Sequence, residues 1–342
     1  MNYVYITVIP FIAYLLNIFI TKKNFLPSLS GEKHQLFVEN KIIPLSGGLI
    51  IVIIVINFLF LEKLNIEFYY FFLFMVFCIG FLSDLRVLKS PKIRFYLQIL
   101  FIFIFVFFYN FHISAVRIFF IDYLLNYKFF TYIFVIFCLL IIVNGTNFID
   151  GLNGLVLGYF ISILIIIYNL QLFENLDIGR FEILYFIELL SFLLLLNFFN
   201  KLYIGDSGSY LLGFSFGTLL IAIYESNTII SPFFIVLLLW YPCFENLFSI
   251  IRKYRFNKSP LVSDNKHFHQ LLFYFVKKKF DLSTLAANNL GSILINIFNI
   301  LTLAFGATNI FSTQFQVLII LFNMICYIFI YLRLFDYRFR KI

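Results

Sequence analysis

The stretch VNGTNFIDGLNGL, Val143 to Leu155, decides how this chain folds and where its chemistry lies. It follows an apolar run from Tyr132 to Val143, and it places four polar side chains at close spacing: Asn144, Asn147, Asp150 and Asn153. Polar groups are costly in hydrocarbon and tend to line cavities, whereas glycines let the backbone approach a ligand closely. The stretch predicts a functional site at the end of a membrane helix. A polar loop between two spans is the alternative.

Composition sets the class of protein. Of the 342 residues, 63% are hydrophobic and only 12% are charged, whereas soluble domains carry about 25% charged residues. Many apolar runs reach the roughly 20 residues that a helix needs to cross a bilayer. The expected fold is all-α, a single polytopic membrane domain over residues 1–342 with the motifs between about 44 and 272.

The apolar runs predict eleven transmembrane helices, at about 2–20, 43–60, 67–83, 95–111, 129–145, 154–171, 182–198, 208–224, 229–250, 286–306 and 315–333. The first run lacks a basic leading region and a small-residue cleavage site, and Lys22 and Lys23 follow it directly. It is therefore interpreted as an uncleaved anchor and not as a signal peptide.

The basic residues predict the orientation of the helices. With eleven crossings, 21 of the 25 Lys and Arg residues fall in loops on one side, and only Lys63, Arg117, Lys128 and Arg180 fall on the other. Cytoplasmic loops carry the excess of basic residues. We therefore expect the N-terminus outside and the C-terminus in the cytoplasm. The net charge of +8 then belongs to membrane topology, so no nucleic-acid partner is expected.

The four cysteines are predicted to be buried thiols. Cys78, Cys138, Cys243 and Cys326 are isolated in apolar segments, and no pair has the spacing of a disulfide or zinc site.

The unusual polar residues all fall at predicted cytoplasmic helix ends. They are Pro44 to Gly48, Ser83 and Asp84, Arg94, the Val143–Leu155 stretch, Gly205 to Ser209, and the histidines of DNKHFHQLL, His267 and His269. Chance placement would have divided them between the two faces. Their order and common face therefore predict one site, although each motif alone has an ordinary explanation. GDSGS suits any turn into a helix, the histidines suit a solvated loop, and Asp84 beside Arg86 suits a weak surface pair.

The residue types point to phosphoryl transfer. Asp84, Asp150 and Asp206 supply carboxylates and Asn147 an amide oxygen, which are the hard ligands that Mg²⁺ prefers, with Mn²⁺ as the alternative ion. GDSGS offers backbone N–H groups that could hold phosphate at a helix N-terminus. Lys41, Arg94 and the histidines would supply positive charge or proton transfer, as phosphoryl transfer requires.

With these residues in place, the chain resembles the polyprenyl-phosphate N-acetylhexosamine-1-phosphate transferases, also called glycosyltransferase family 4. The resemblance runs from about Pro44 to Leu272, and the eleven-span layout is similar too. The family pattern N-x-x-N-x-x-D-G-x-D-G-L appears as Asn144, Asn147, Asp150, Gly151, Asn153, Gly154 and Leu155.

The resemblance implies a role for each matching residue. Asp206, in a complete G-D-x-G-S motif, would be the main Mg²⁺ ligand, and Asn147 would help to hold the ion. Asp84 would take a lipid-phosphate or general-base role, and Arg94 would bind phosphate. Asp150, His267 and His269 would be catalytic. Asn144, Gly151, Leu152 and Asn153 would contact the substrate, the last three beside the uracil of a UDP-sugar.

The chain departs from the family pattern at four positions. Ser83 replaces the first of two aspartates, Asn153 replaces an aspartate, Gln270 replaces the last histidine of H-x-H-H, and Glu245 replaces the aspartate of a Pro-x-x-Asp element. Ser83 is the most serious of these. We expect Ser83 to orient Asp84 without being ionised itself, but the departures also leave open an inactive relative that only scaffolds an assembly.

The resemblance implies an enzyme of the bacterial inner membrane with its site facing the cytoplasm. It would transfer a sugar phosphate from a UDP-N-acetylhexosamine to undecaprenyl phosphate. The HFHQ loop lacks a run of three histidines, which favours the branch that initiates O-antigen synthesis over the peptidoglycan enzyme. A flippase or transporter is the main rival, although transport sites usually lie near the bilayer midplane between symmetric repeats. The sugar and a homodimeric state stay open.

Overall fold

A computed structural model describes residues 2–27, 43–62, 67–176, 178–255, 257 and 265–339. The described chain is helical, and one isolated bridge joins Pro27 and Pro44. Its helices are α1 (Asn2–Lys22), α2 (Gly47–Glu62), α3 (Glu67–Asp84), α4 (Pro91–Phe108), α5 (Phe119–Leu125), α6 (Lys128–Ile149), α7 (Leu155–Asn169), α8 (Arg180–Phe198), α9 (Gly205–Ser226), α10 (Pro232–Leu238), α11 (Trp240–Arg255), α12 (Phe268–Phe280), α13 (Thr284–Gly306) and α14 (Thr313–Phe339).

Helix α9 is the centre of the bundle. It packs against α2, α3, α6 and α10. In its apolar stretch 83% of the residues are buried, compared with 22% to 44% in the other five long apolar helices. A helix surrounded in this way by protein can carry polar groups at its first turn without exposing them to lipid. The N-terminus of α9 is therefore the natural position for a site.

Glycines bring the neighbouring helices into backbone contact with the start of α9. A Cβ atom on Gly80 of α3 would lie 2.4 Å from the backbone oxygen of Asp206, and one on Gly48 of α2 would lie 2.3 Å from the nitrogen of Gly208. Small residues permit this close approach between membrane helices. In the sequence, the contact between α2 and α9 was indicated by the glycine and serine residues of Ser46 to Gly48 and of Gly205 to Ser209.

The predicted segments agree with the helices in position. Each of the eleven overlaps a helix or a bent pair of helices. Among the described residues, six helices are long and apolar enough to cross a membrane, or seven with the bent pair, and four shorter apolar helices accompany them. A polytopic all-α membrane protein is confirmed. The eleven crossings, the N-terminus outside and the cytoplasmic C-terminus stay predictions.

The ninth predicted segment is wrong as a single helix. It divides into α10 and α11, which meet at 76°. Pro242 lies in the first turn of α11. A helix continuing straight from α10 would require a hydrogen bond from the backbone nitrogen of Pro242 to the oxygen of Leu238, and proline has no N–H to donate. The short α5 and the amphipathic α12 were not predicted, because neither forms a long apolar run. The four cysteines are free, as expected, but each is partly exposed, so the prediction that they are buried is wrong.

Replacing Gly80 by alanine should disturb the contact between α3 and α9. The added methyl would meet backbone, which cannot turn aside, so we expect overpacking to cost about 1–3 kcal/mol. The measurement is the melting temperature of detergent-purified protein. Gly291→Ala is the control, because its methyl would meet only the flexible end of Leu152 at 3.2 Å. Equal melting temperatures for the two variants would contradict this account.

Candidate active site

The carboxylate of Asp206, in the first turn of α9, joins three other helices. Its Oδ1 accepts a hydrogen bond from Nδ2 of Asn147 at 2.7 Å, and its Oδ2 accepts one from the hydroxyl of Ser83 at 2.6 Å. Arg94 of α4 forms an ion pair with Oδ2 and also donates to the Ser83 oxygen at 2.6 Å. The Asp206 side chain is 26% exposed, so the group remains accessible from one side.

Asp84, the last residue of α3, caps the N-terminus of α9. Its two oxygens accept the backbone N–H groups of Asp206 at 2.9 Å and Ser207 at 3.0 Å. The first N–H groups of a helix lack internal partners and carry partial positive charge, so a carboxylate is stabilised there. Gly205 has φ +74, and a Cβ atom on it would lie 2.7 Å from an Asp84 oxygen. No other residue type fits this turn without strain.

Asp150 is the third carboxylate of the site. It follows the end of α6 and receives a backbone hydrogen bond from Gly205. Loss of hydration, with the charges of Asp206 and Asp84, raises the pKa of Asp150 to about 8. Asp150 therefore keeps its proton at neutral pH unless a cation compensates the local excess of carboxylates.

The donor set around Asp206 suits a hard divalent cation. Asp206 and Asp150 offer carboxylate oxygens and Asn147 an amide, and the Asn147 Nδ2 also lies 3.1 Å from the Ser209 hydroxyl. Three carboxylates lie near the guanidinium of Arg94, so a bound metal ion would balance the charge. No group of three or more His, Cys, Asp or Glu in the described ranges could hold a metal alone. Substrate phosphates would have to complete the shell, as is usual for Mg²⁺.

The turn from Gly151 to Gly154 is held by asparagines from other helices. The backbone N–H of Asn153 donates to Oδ1 of Asn288 at 2.7 Å, and its side-chain Nδ2 donates to Oδ1 of Asn200 at 2.7 Å. Asn296 and Asn197 bind the backbone of Gly154, which has φ +76. These bonds fix the turn, and they point the Asn153 side chain inward.

Two other predicted substrate residues also make internal contacts. Leu152 is buried. The amide of Asn144 donates to Oε1 of Gln98 at 2.9 Å and to the backbone oxygen of Leu140 at 2.9 Å. Contact of these residues with a substrate stays a prediction, as it does for Gly151 and Asn153.

The two histidines lie beside this turn. His267 and His269 stack with ring centroids 5.7 Å apart and an interplanar angle of 15°. A Cβ atom on Gly151 would lie 2.1 Å from Nε2 of His269, so the imidazole rests directly on the glycine. Burial and the neighbouring His267 lower the pKa of His269 to about 3. The lowered pKa favours the neutral form of the His269 ring, and its role in supplying charge or transferring a proton stays a prediction.

The structure brings together most of the predicted residues. Asp84, Arg94, Asn147, Asp150 and Asp206 meet at the start of α9, and the histidines adjoin Gly151. Lys41 lies outside the described residues. Gln270 is a helix cap, since its Oε1 accepts the backbone N–H of His267 at 3.2 Å. Sequence reasoning missed Gln98, and it missed the asparagines of α13, whose spacing in an apolar helix was an available signal.

With this geometry in hand, comparison with known proteins finds a family match over part of the chain. Residues 67–224, a little under half of the chain, match the model of glycosyl transferase family 4. The matched segment contains α3 to α9, and thus the three carboxylates, Arg94 and Asn147 of the site.

Similar proteins are bacterial transferases of this family. A probable undecaprenyl-phosphate N-acetylglucosaminyl 1-phosphate transferase of Bacillus subtilis is 34% identical over 141 residues, 39% of this chain and 38% of that protein. The undecaprenyl-phosphate alpha-N-acetylglucosaminyl 1-phosphate transferase of Thermotoga maritima is 30% identical over 129 residues, 38% of each chain. A decaprenyl-phosphate N-acetylglucosaminephosphotransferase of Mycolicibacterium smegmatis is 30% identical over 154 residues, 38% of this chain and 37% of that protein. The chain thus spans under two fifths of the curated relatives it matches.

Asp150 should make the metal-free protein less stable as the pH rises. In the unfolded chain its carboxyl ionises near the ordinary pKa of 3.8, whereas in the folded protein the pKa is about 8. Between these values the folded protein binds more protons, so the free energy of unfolding falls with increasing pH.

Asp150→Asn should remove that part of the pH dependence. Melting temperatures in chelator at about pH 5 and about pH 8 measure it, and the variant should lose less stability between them than the parent. Glu174→Gln is the control, because the Glu174 side chain is 56% exposed. If Asp150→Asn lost as much stability between the two pH values as the parent does, the raised pKa of Asp150 would be refuted.

Proposed function

We propose that this protein transfers an N-acetylhexosamine 1-phosphate from its UDP-sugar to undecaprenyl phosphate and releases UMP. The observation that carries the proposal is the convergence of Asp84, Asp150 and Asp206 with Arg94 at the first turn of one buried helix. Such a site can bind phosphates through a metal ion and a guanidinium while protein excludes water. The names of the three relatives support a polyprenyl phosphate as the acceptor and an N-acetylglucosamine phosphate as the transferred group.

Asp206 and Asn147 would hold Mg²⁺, which when bound supplies positive charge that neutralises the diphosphate during transfer. Asn147 already contacts Asp206, so the pair requires only rotation of the amide to present its oxygen. Ser209 lies within reach of the same amide. Asp84 keeps these groups in place because it fixes the first turn of α9.

In the proposed reaction an oxygen of the lipid phosphate attacks the β-phosphorus of the UDP-sugar. A bond forms between these two atoms, the bond from the β-phosphorus to the bridging oxygen breaks, and UMP leaves with the electron pair. Arg94 would bind a phosphate oxygen and orient it for in-line attack. Asp150 would hold or accept the proton at the site, because its proton is poised near neutral pH. Both oxygens of Asp84 already accept backbone N–H groups, so a positioning role suits Asp84 better than a general-base role.

Ser83 fits an active enzyme. Its hydroxyl donates to Asp206 and accepts from Arg94, so it joins the two groups that matter most in the proposed reaction. A second carboxylate at this position would add a further negative charge, and the serine avoids it. This contact favours a working transferase over an inactive scaffold.

The finer proposal concerns place and product. The basic loops predict that the site faces the cytoplasm of a bacterial inner membrane. The product would then be the first lipid-linked intermediate of O-antigen or another cell-envelope polysaccharide. The relatives make UDP-N-acetylglucosamine the first donor to test, and other UDP-N-acetylhexosamines follow.

The direct test is UMP release by purified protein with Mg²⁺, undecaprenyl phosphate and a panel of UDP-sugars. Asp206→Asn should lower kcat by about a hundredfold or more, the scale of losing a principal electrostatic group. Chelator should abolish release by the parent, and Mg²⁺ should restore it. Glu174→Gln is the control for loss of an unrelated carboxylate.

Two outcomes would overturn the proposal. Full activity in Asp206→Asn would exclude the assigned site. The second is no UMP from any UDP-sugar, and movement of a lipid-linked sugar between leaflets of proteoliposomes would then establish a flippase.

A further inference from the structure

A buried carboxylate lies behind the two histidines. Glu245 of α11 is 1% exposed, and its Oε1 lies 2.9 Å from Nδ1 of His267 and 3.4 Å from the backbone nitrogen of Phe268. Its other oxygen, Oε2, accepts a hydrogen bond from the hydroxyl of Tyr327 at 2.6 Å. Both oxygens of this carboxylate are therefore engaged.

Tyr327 belongs to α14, far along the chain from the matched family segment. Its ring packs on Phe268 with centroids 4.8 Å apart, and it contacts Phe244 and Phe248 of α11 at 5.0 and 5.3 Å. An aromatic cage of this kind fixes the phenol, with its hydroxyl directed at Glu245.

Helix α14 also holds the residues that precede the histidines. The hydroxyl of Tyr331 donates to the backbone oxygen of Lys266 at 3.0 Å, and Arg338 donates to that of Asn265 at 2.9 Å. These bonds, with the packing of Tyr327 on Phe268, attach the start of α12 to α14. The position of His267 is thus set by α11 and α14 together.

The Glu245 contact also sets which nitrogen of a neutral His267 ring carries the proton. An ionised carboxylate can only accept hydrogen bonds, so the proton of a neutral imidazole must lie on Nδ1. The lone pair is then on Nε2. His267 stacks on His269, which rests on Gly151, so a displacement of His267 reaches the turn beside Asp150.

We propose that Glu245 and Tyr327 are positioning residues, which act through His267 to hold the histidine pair against the Asp150–Gly151 turn. The effect of these two residues on catalysis rests on the proposed transferase function. The positioning itself is a property of the folded protein and is testable without any activity.

The variants are Glu245→Gln and Tyr327→Phe, which keep the volume and remove one charge or one hydroxyl. Tyr132→Phe is the matched control, because that hydroxyl donates to Oδ1 of Asn110 at 2.7 Å, away from the histidines. Carbethoxylation of histidines by diethyl pyrocarbonate, followed by mass spectrometry of the peptide that contains His267 and His269, reports how well the rings are held. UMP release gives kcat and the KM for the UDP-sugar.

We expect both variants to be carbethoxylated several-fold faster than the parent at this peptide, and the control at the parent rate. We also expect kcat to fall by about 10- to 100-fold, the range seen when the partner that orients a functional histidine is lost. KM should change much less. This division between kcat and KM separates misplacement of the rings from a general loss of folded protein.

Parental histidine reactivity in both variants would overturn the positioning role, whatever the enzyme does. Faster carbethoxylation with unchanged kcat would overturn the catalytic consequence. If the parent releases no UMP, the transferase proposal fails, and the reactivity of the two variants still decides whether Glu245 and Tyr327 hold the histidines.

Discussion

The site depends on the unsatisfied N–H groups at the start of α9. A helix that begins inside a bundle exposes donors that water cannot reach, and these donors must find acceptors. Asp84 supplies both oxygens to the N–H groups of Asp206 and Ser207. Because this capping brings a negative charge next to Asp206 and Asp150, it also creates the excess of carboxylates to which a cation and phosphates can respond.

The close approach of helices is the second requirement. Carboxylates from α3, α9 and the end of α6 can meet only where helix backbones touch, and Gly80 and Gly48 allow this at α9. The asparagines around Gly154 then hold the adjoining turn, so the polar groups are supported from several helices. The arrangement is rigid where charge is concentrated, which suits chemistry based on positioning.

Much of this was predictable from the sequence. Hydrophobic runs located every long helix, because a span needs a set length of apolar residues, and Asp84, Asp150 and Asp206 stood out because acids are rare there. Their roles were less predictable, since Asp84 as a helix cap depends on tertiary contacts. The bend between α10 and α11 was missed because residues 229–250 form one largely apolar run, and Pro242 was a local signal that was not used. The support of His267 by Tyr327 joins residues too distant in sequence for any motif to connect.

The attachment of α12 to α14 has a consequence for how the protein matures. During synthesis α14 emerges from the ribosome after every other described helix, so the hydrogen bonds of Asn265, Lys266 and Glu245 with α14 form only after it has been made. The carboxylate cluster at α9 can assemble earlier from α3, α4 and α6. Assembly of the site therefore has an order, in which the carboxylate half forms first and the histidine half is completed only when α14 docks.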